Sequence, residues 1–505
     1  MKRGLGKEQR DSPTAKSAPL STHEKALQIN LDPAKYGTFA EIGAGQEVAR
    51  WFFRVGGAAG TIAKSMSAYD MTVSDAVYGP CERYVSRQRL KTMLEYEFEL
   101  LVQRLHTKRG GNTRFFVFAD TVRARSFLPC DESHGWMGVR FQSEPGAAPS
   151  QIIIHIRMLD RENLQQQETI GIMGVNLIHG ALYRHEDPEG IIPPLLDNLT
   201  RERVEVDMIK FAGPGFANAD NRLMSLQLVK QGLTDAAMFT AKGDVVQAAE
   251  VLYKKPILVE RGSFRPVTNV TFDMLQCGRA QFLQEPGVQG EDTVVLMEMT
   301  LKHLTDDGAI SHRDFLDRAD LLGSLGQTVL ISNYGEFHRL AAYLFRHTKR
   351  KIGIVMGVPT LRELFEPKYY TDLEGGILEA FGRLFKNELK LYIYPHHASA
   401  SSGIVTAENL QVSPNLRHLY AHLLENHFTE SLRGYNETYL PISWRDVLAR
   451  MEKCDTTWEQ MVPGEVARII KERKLFTYRD GSRRTRPATH ARNGESHYET
   501  TPRPV

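Results

Sequence analysis

The sequence predicts an α/β protein with a mainly parallel, doubly wound sheet in its C-terminal lobe and a mixed α/β N-terminal lobe. The first observation behind this is residues 326–397, which read as a βαβαβ unit. Three apolar runs, Thr328–Asn333, Ile352–Gly357 and Leu389–Pro395, alternate with helix-like segments. Such alternation implies a parallel sheet whose ligands sit beyond the carboxyl ends of the strands. The second is length. A chain of 505 residues exceeds one small core, so two lobes are expected. The third is that residues 31–288 mix strand-like runs with long amphipathic helices and lack a regular alternation.

Residues 1–30 are polar and rich in Ser, Pro and Lys, and are expected to be disordered. A helix is expected over Arg83–Lys108, where Leu90, Leu94, Phe98, Leu101 and Leu105 share one face. Gly110-Gly111-Asn112 stops it, and Arg114–Val122 follows as a strand. Gln151–Leu159 and Val204–Phe211 read as further strands, with a helix over Glu162–Tyr183 between them. Asn221 is the expected cap of a helix ending at Gly232, and Pro256–Glu260 is a short strand. Gln284–Asp292, rich in Gly, Glu and Pro, divides a first lobe (31–288) from a Rossmann-like second lobe with C-terminal helices (289–478). Thr293–Leu301 opens the second lobe as a strand. Thr360-Leu-Arg-Glu363 and Thr371-Asp-Leu-Glu374 fit the capping-box pattern. Residues 416–474 read as helices broken at Pro441 and Pro463, and 479–505 as a disordered basic tail.

The net charge of +2 conceals its distribution. Residues 1–30 and 479–505 each carry six Lys/Arg against three acids, so each end is +3 and the body is left at −4. The excess lies in the ends, which argues against a dedicated nucleic-acid surface. Cys81, Cys130, Cys277 and Cys454 form no CxxC pair, so a disulfide framework or zinc site is not expected. There is no signal-peptide h-region and no apolar run of ~18 residues. A soluble, cytoplasmic protein without a membrane partner follows as the expectation.

The strongest candidate site lies at the strand ends of 326–397. Ser332 and Asn333 end one strand beside a helix starting near Glu336, a good place for an anion. His338 and Arg339 lie on that first turn. Gly357 ends the next strand, and His396 ends the third. Arg261 and Arg265 follow the Pro256–Glu260 strand and are candidate phosphate contacts. A second cluster is Asp120 at the end of an apolar strand, followed by Arg123 and Arg125. A carboxylate beside arginine forks suits anion binding or acid–base work, and structural ion pairs are the alternative. His155 and Arg157 share a strand face, while Asp207 and Lys210 fall on opposite faces. Glu298 within Val294–Leu301 needs a partner or a water-facing edge position. Gly43-Ala44-Gly45 and Gly56–Gly60 suggest a phosphate loop, yet Ala63 stands where GxxxxGK[ST] needs Gly. No strand is expected before it, so close helix packing is favoured there, as it is at Gly171 and Gly174.

Several segments together carry a family resemblance: Gly37–Arg50, Met208–Phe211, Asn221–Gln227, Leu258–Pro266 and Tyr369–Gly376. They resemble an uncharacterised family of soluble bacterial proteins, some labelled nicotinate-nucleotide adenylyltransferase, over residues 31–478. The resemblance implies nucleotidyl transfer to a pyridine mononucleotide. Enzymes of that label share HxGH and ISxTxxR motifs. This chain has no HxGH, and Ile331-Ser332 is followed by Asn333-Tyr334 with Arg339 out of step.

The functional expectation is an enzyme acting on a nucleotide or phosphorylated metabolite, with magnesium if the reaction is nucleotidyl transfer. His338, His396 and Asp120 are its catalytic candidates. Ser332, Asn333, Gly357, Arg339, Arg261, Arg265 and Arg123 are its ligand contacts. The alternative is a non-catalytic nucleotide-sensing or scaffold protein. The metal, homo-oligomerisation, and whether the two polar clusters meet are left open.

Overall fold

The computed structural model describes residues 19–43, 45–125, 132–288, 290, 292–305, 308–397 and 403–479. It is mixed α/β, and its larger sheet is mostly parallel. The first sheet contains β1 (Lys35–Ile42), β2 (Ile62–Ser67), β3 (Arg114–Arg123), β4 (Ser133–Phe141), β5 (Ser150–Met158) and β6 (Val204–Ala212), in the order β2-β1-β3-β4-β5-β6. Strands β2, β1 and β3 are parallel, and the rest pair antiparallel.

The second sheet draws on β7 (Ala236–Phe239), β8 (Val245–Val246), β9 (Ile257–Arg261), β10 (Val294–Thr300), β11 (Thr328–Ser332), β12 (Ile352–Gly357) and β13 (Leu389–Tyr394). Next come a small ribbon, β14 (His396–His397) with β15 (Ile404–Val405), and the edge strand β16 (Thr429–Ser431). The order is β16-β13-β12-β9-β10-β11-β7-β8, parallel from β16 to β11. The βαβαβ unit expected over 326–397 is therefore present as β11, β12 and β13. Sheet membership changes between Ala212 and Ala236, ahead of the 288/289 division expected from composition.

Each sheet reverses its winding once. From β1 the chain passes through helix Glu47–Val55 to β2 on one side. From β2 it passes through helix Arg87–Arg109 to β3 on the other side of β1. The first helix buries Val48 and Phe52 against Phe39, Phe116 and Phe118. The second buries Leu90, Leu94 and Phe98 against Val117 and Ala119 on the opposite face. The carboxyl ends of β1 and β3 thus flank a topological switch point, where open sheets bind ligands. In the second sheet the same reversal separates β9 from β12. One apolar cluster joins the two sheets, running from Val117 and Ile153 to Phe239, Val329 and Ile331.

Several elements differ from expectation. β1 does lead into the Gly43 turn, although no strand was expected there. Residues 22–30 form a helix with a Ser21–Glu24 capping box, and they bury Ala26 and Ile29 completely. That burial outweighs the polar composition of 1–30. Residues 1–18 and 480–505, where the rest of the disorder was expected, lie outside the described residues. The two Thr boxes are not caps. Helix Val358–Leu364 starts from Gly357 with Pro359 in its first turn, and the next helix starts at Gly376. Asp220, not Asn221, caps helix Asn221–Lys230. Asn221 instead brackets the Phe211 backbone, accepting from its N–H and donating to its carbonyl.

Candidate functional site

The first switch point is built from the end of β1. Gly43 has φ +105°, and a Cβ there would run into the Val122 carbonyl of β3. Only glycine lets the chain turn this closely over β3. The turn feeds helix Glu47–Val55, whose N-cap Gln46 makes no side-chain cap bond. The strand supplies the cap instead: Glu41 Oε2 accepts from Val48 N at 3.1 Å and Oε1 from Ala49 N at 3.0 Å. Gly171 and Gly174 of helix Asn163–Tyr183 let it lie against this helix, because side chains there would meet Trp51 and Val48.

Glu41 and Asp120 are register partners on β1 and β3, each 1% exposed. Asp120 Oδ1 accepts from Ile42 N at 3.2 Å, and its Oδ2 has no partner. On the other side Glu41 pairs in register with Ser67 of β2, whose buried Oγ is also unpartnered. Ser67, Glu41 and Asp120 thus form a polar row across the ends of three parallel strands. Burial is the main force raising both carboxyls. It lifts Glu41 to about 7, helped by the charge of Glu47 and opposed by the Ala49 and Val48 amides. It lifts Asp120 well above the usual carboxylate range, with the Glu41 charge adding to it. Two like charges at this spacing disfavour joint ionisation, so the pair retains a proton near neutrality.

Around the glycine turn that follows β1 lies a cavity of about 630 Å³. Gly43, Gly45, Glu47, Tyr69, Arg123 and Arg125 are among its lining residues, so one carboxylate stands against two guanidinium groups. Arg123 is exposed and has no carboxylate partner among the described residues. Arg125 donates from Nη1 to the Arg161 carbonyl at 2.8 Å, and its backbone N–H binds Gln166. A pocket of this volume with two guanidinium groups suits a small anionic ligand.

The candidates on and beside the second sheet are arranged differently. Ser332 is fully buried and donates to Glu298 Oε1 at 2.6 Å. Arg261 forks onto Glu298 at 2.8 and 3.0 Å and donates to the Gly335 carbonyl at 2.8 Å. Its guanidinium, expected to meet phosphate, is taken up internally. Glu298 lies on a central strand with no exposure, not at a water-facing edge. Arg265 is bound to Asp314 at 2.6 Å. Asn333 is exposed, and its backbone N–H donates to the Asp235 carbonyl. Arg339 is exposed beside Glu336 at 3.7 Å. His338 is buried, its Nδ1 is unpartnered, and burial pushes its pKa down. It is therefore neutral near pH 7 and carries no charge for phosphate. His396 is exposed on β14, and its pKa is lowered by desolvation, Arg362 and His397. Gly357 and Ser332 stand three strand spacings apart, roughly 14 Å, so these residues do not converge on one point.

Sequence reasoning found Asp120, Arg123 and Arg125 but not Glu41, Ser67 or Tyr69. The only local signal for Glu41 was an acid interrupting the Tyr36–Ile42 run two residues before Gly43. A third polar group joins the lobes. His155 Nδ1 binds Asp207 Oδ1 at 2.6 Å, His155 Nε2 faces His134 at 3.1 Å, and Gln247 donates to Asp207 at 3.3 Å.

No family model and no curated protein sequence matches the chain. Among solved structures, partial likenesses are found to competence-damage proteins. The competence/damage inducible protein CihA of Agrobacterium tumefaciens is 15% identical, over 32% of this chain and 97% of its own, at a TM-score of 0.23. A CinA superfamily protein of Enterobacter cloacae is 12% identical, over 35% and 99%, at 0.23. The competence damage-inducible protein A (ComA) of Klebsiella pneumoniae is 14% identical, over 32% and 94%, at 0.22. No helix among the described residues is long and apolar enough to cross a membrane.

Proposed function

We propose that the chain is an enzyme acting on a nucleotide or another phosphorylated metabolite, held at the carboxyl ends of β1 and β3. The observation that carries this is the cavity at the first switch point, where Arg123 and Arg125 rim a glycine turn. The arginines take the ligand's phosphate, and Tyr69, 74% exposed, offers a flat face for a ring. Adenylyl transfer to a pyridine mononucleotide is the most specific form of this reading. In that form magnesium enters with the triphosphate, bound largely by phosphate oxygens. Charge stabilisation then falls to the arginines, because His338 is neutral and buried.

The test is a thermal-shift screen of the full chain against ATP, nicotinate mononucleotide, NAD and sugar phosphates, with and without magnesium. A ligand at 100 times its dissociation constant adds about 2.7 kcal/mol. The expected result is a shift with a nucleotide that disappears in the Arg123→Ala/Arg125→Ala double variant. No shift with any of them sinks the reading. A second reading, a non-catalytic nucleotide sensor or scaffold, is favoured by one observation. Both carboxyls are 1% exposed, and three of their oxygens accept backbone N–H groups. Tight binding without turnover of any triphosphate selects it.

A further inference from the structure

The polar row at the foot of the glycine turn has a feature that simple ion pairing does not explain. Its central member, Glu41, caps a helix from a neighbouring strand. Its outer members, Ser67 Oγ and Asp120 Oδ2, are buried with no hydrogen-bond partner. Buried polar atoms are normally satisfied, and an unsatisfied pair at a strand-end crevice marks a purpose other than stability. The row is also mechanically tied to the cavity. Asp120 holds the Ile42 amide, the last before Gly43, and Glu41 holds the first amides after the turn. Both anchors of the glycine turn therefore end on carboxyls that share a proton.

We propose that Glu41 and Asp120 are positioning residues whose shared proton sets the pH range over which the cavity holds an anion. This rests on the anionic-ligand reading given above. With the proton retained, the pair carries at most one charge and the turn stays anchored. When the proton leaves, a second buried negative charge lies behind the glycine turn that lines the cavity. It opposes an incoming anion, and the two carboxylates repel each other across β1 and β3.

Charged and polar groups reach the surroundings of the row from several elements. Helix Glu47–Val55 brings Glu47, which raises Glu41, and Arg50, which pairs with Glu47 at 3.7 Å. Strand β3 brings Arg123 and Arg125 beyond its end. The segment after β2 brings Tyr69, and helix Asn163–Tyr183 brings Asn163, Gln166 and Gln167, with Glu168 farther out beside Glu47 and Arg50. None of these is a histidine, so the row is the group that titrates near neutrality here.

The experiment is calorimetric titration of the full-length wild type, Asp120→Asn and Glu41→Gln with NAD between pH 5.5 and 8.5. The pyrophosphate charge of NAD is fixed over this range, so any slope belongs to the protein. The expected result is a wild-type affinity that falls by about tenfold from pH 6 to pH 8. Asp120→Asn keeps the low-pH affinity throughout. Wild-type binding that is strong and flat with pH overturns the proposal while leaving the ligand site standing. No binding at any pH overturns both the site and its pH control. Amide hydrogen exchange at Ile42, Val48 and Ala49 separates folding from function without a ligand. Corrected for intrinsic rates, these amides should open faster above pH 7 in the wild type and not in Asp120→Asn. Equal behaviour of the two proteins counts against the proposal.

Discussion

The two switch points of this molecule occupy the same topological position and are finished in opposite ways. Beside the second switch point, on β10, Glu298 has both oxygens paired: Arg261 forks onto it and Ser332 donates to it. Arg261 also closes onto the Gly335 carbonyl, and Phe337 stacks on its guanidinium at 4.1 Å. At the ends of β1 and β3, two carboxyls are register neighbours without a cation, one oxygen is orphaned, and the glycine turn they anchor lines a cavity. A completed network is what stability selects. An incomplete one beside open space has been kept for something else. The Glu298 network is thus closed on its own side chains, and the carboxyl pair of β1 and β3 is the one tied to a turn that opens on a cavity.

The largest effect tests the completed network. Arg261→Ala leaves Glu298 buried and unpaired, and it should cost about 3–5 kcal/mol in denaturant unfolding. Asp120→Asn replaces a buried carboxyl that has no cation partner with a neutral group of the same shape, so it should cost less than 1 kcal/mol or stabilise. If the two substitutions cost the same, the contrast between the switch points collapses. Next comes Gly43→Ala. Its Cβ meets the Val122 carbonyl at a left-handed φ, which predicts a loss of about 1–3 kcal/mol together with loss of ligand-induced thermal shift. A stable Gly43→Ala protein that still binds would show that the turn does not shape the cavity.

How much of this was readable before the structure follows from which residues meet locally. Residues 328–394 were legible because parallel strands are buried on both faces and appear as unbroken apolar runs. β1 was not, because Gly37 and Glu41 interrupt its run, yet it pairs on both edges and is buried almost throughout. β4 was hidden by Gly135 and Gly138, which admit Val122 and Leu94 against the backbone. Asp120 and Arg123 were visible as charges at a strand end. Their partner Glu41 was not, because its register with Asp120 is set by the pairing of β1 with β3 across more than seventy residues. Arg261 was misjudged for a related reason. Whether an arginine meets phosphate or a buried glutamate depends on a strand, β10, that sequence order alone does not place beside it.

The smallest predicted effect is a slope with pH, and its sign separates the two regions. Glu41 and Asp120 are raised in the folded state, so the native chain holds protons that the unfolded chain has released. Their contribution is complete below about 4.5 and is lost as pH climbs toward 7. His134, His179 and His347 work in the other direction. Burial lowers each to about 4, so the unfolded chain takes up protons first and stability falls as pH drops from 6.5 toward 4. The two slopes oppose each other over the same interval. In the wild type the dependence of urea midpoints on pH between 4.5 and 6.5 should therefore be shallow. Asp120→Asn and Glu41→Gln together remove only the carboxyl slope. They should leave a curve that rises steadily with pH, carried by the histidines. If the double variant keeps the wild-type profile, the carboxyls are ionised in the folded protein and the row holds no proton.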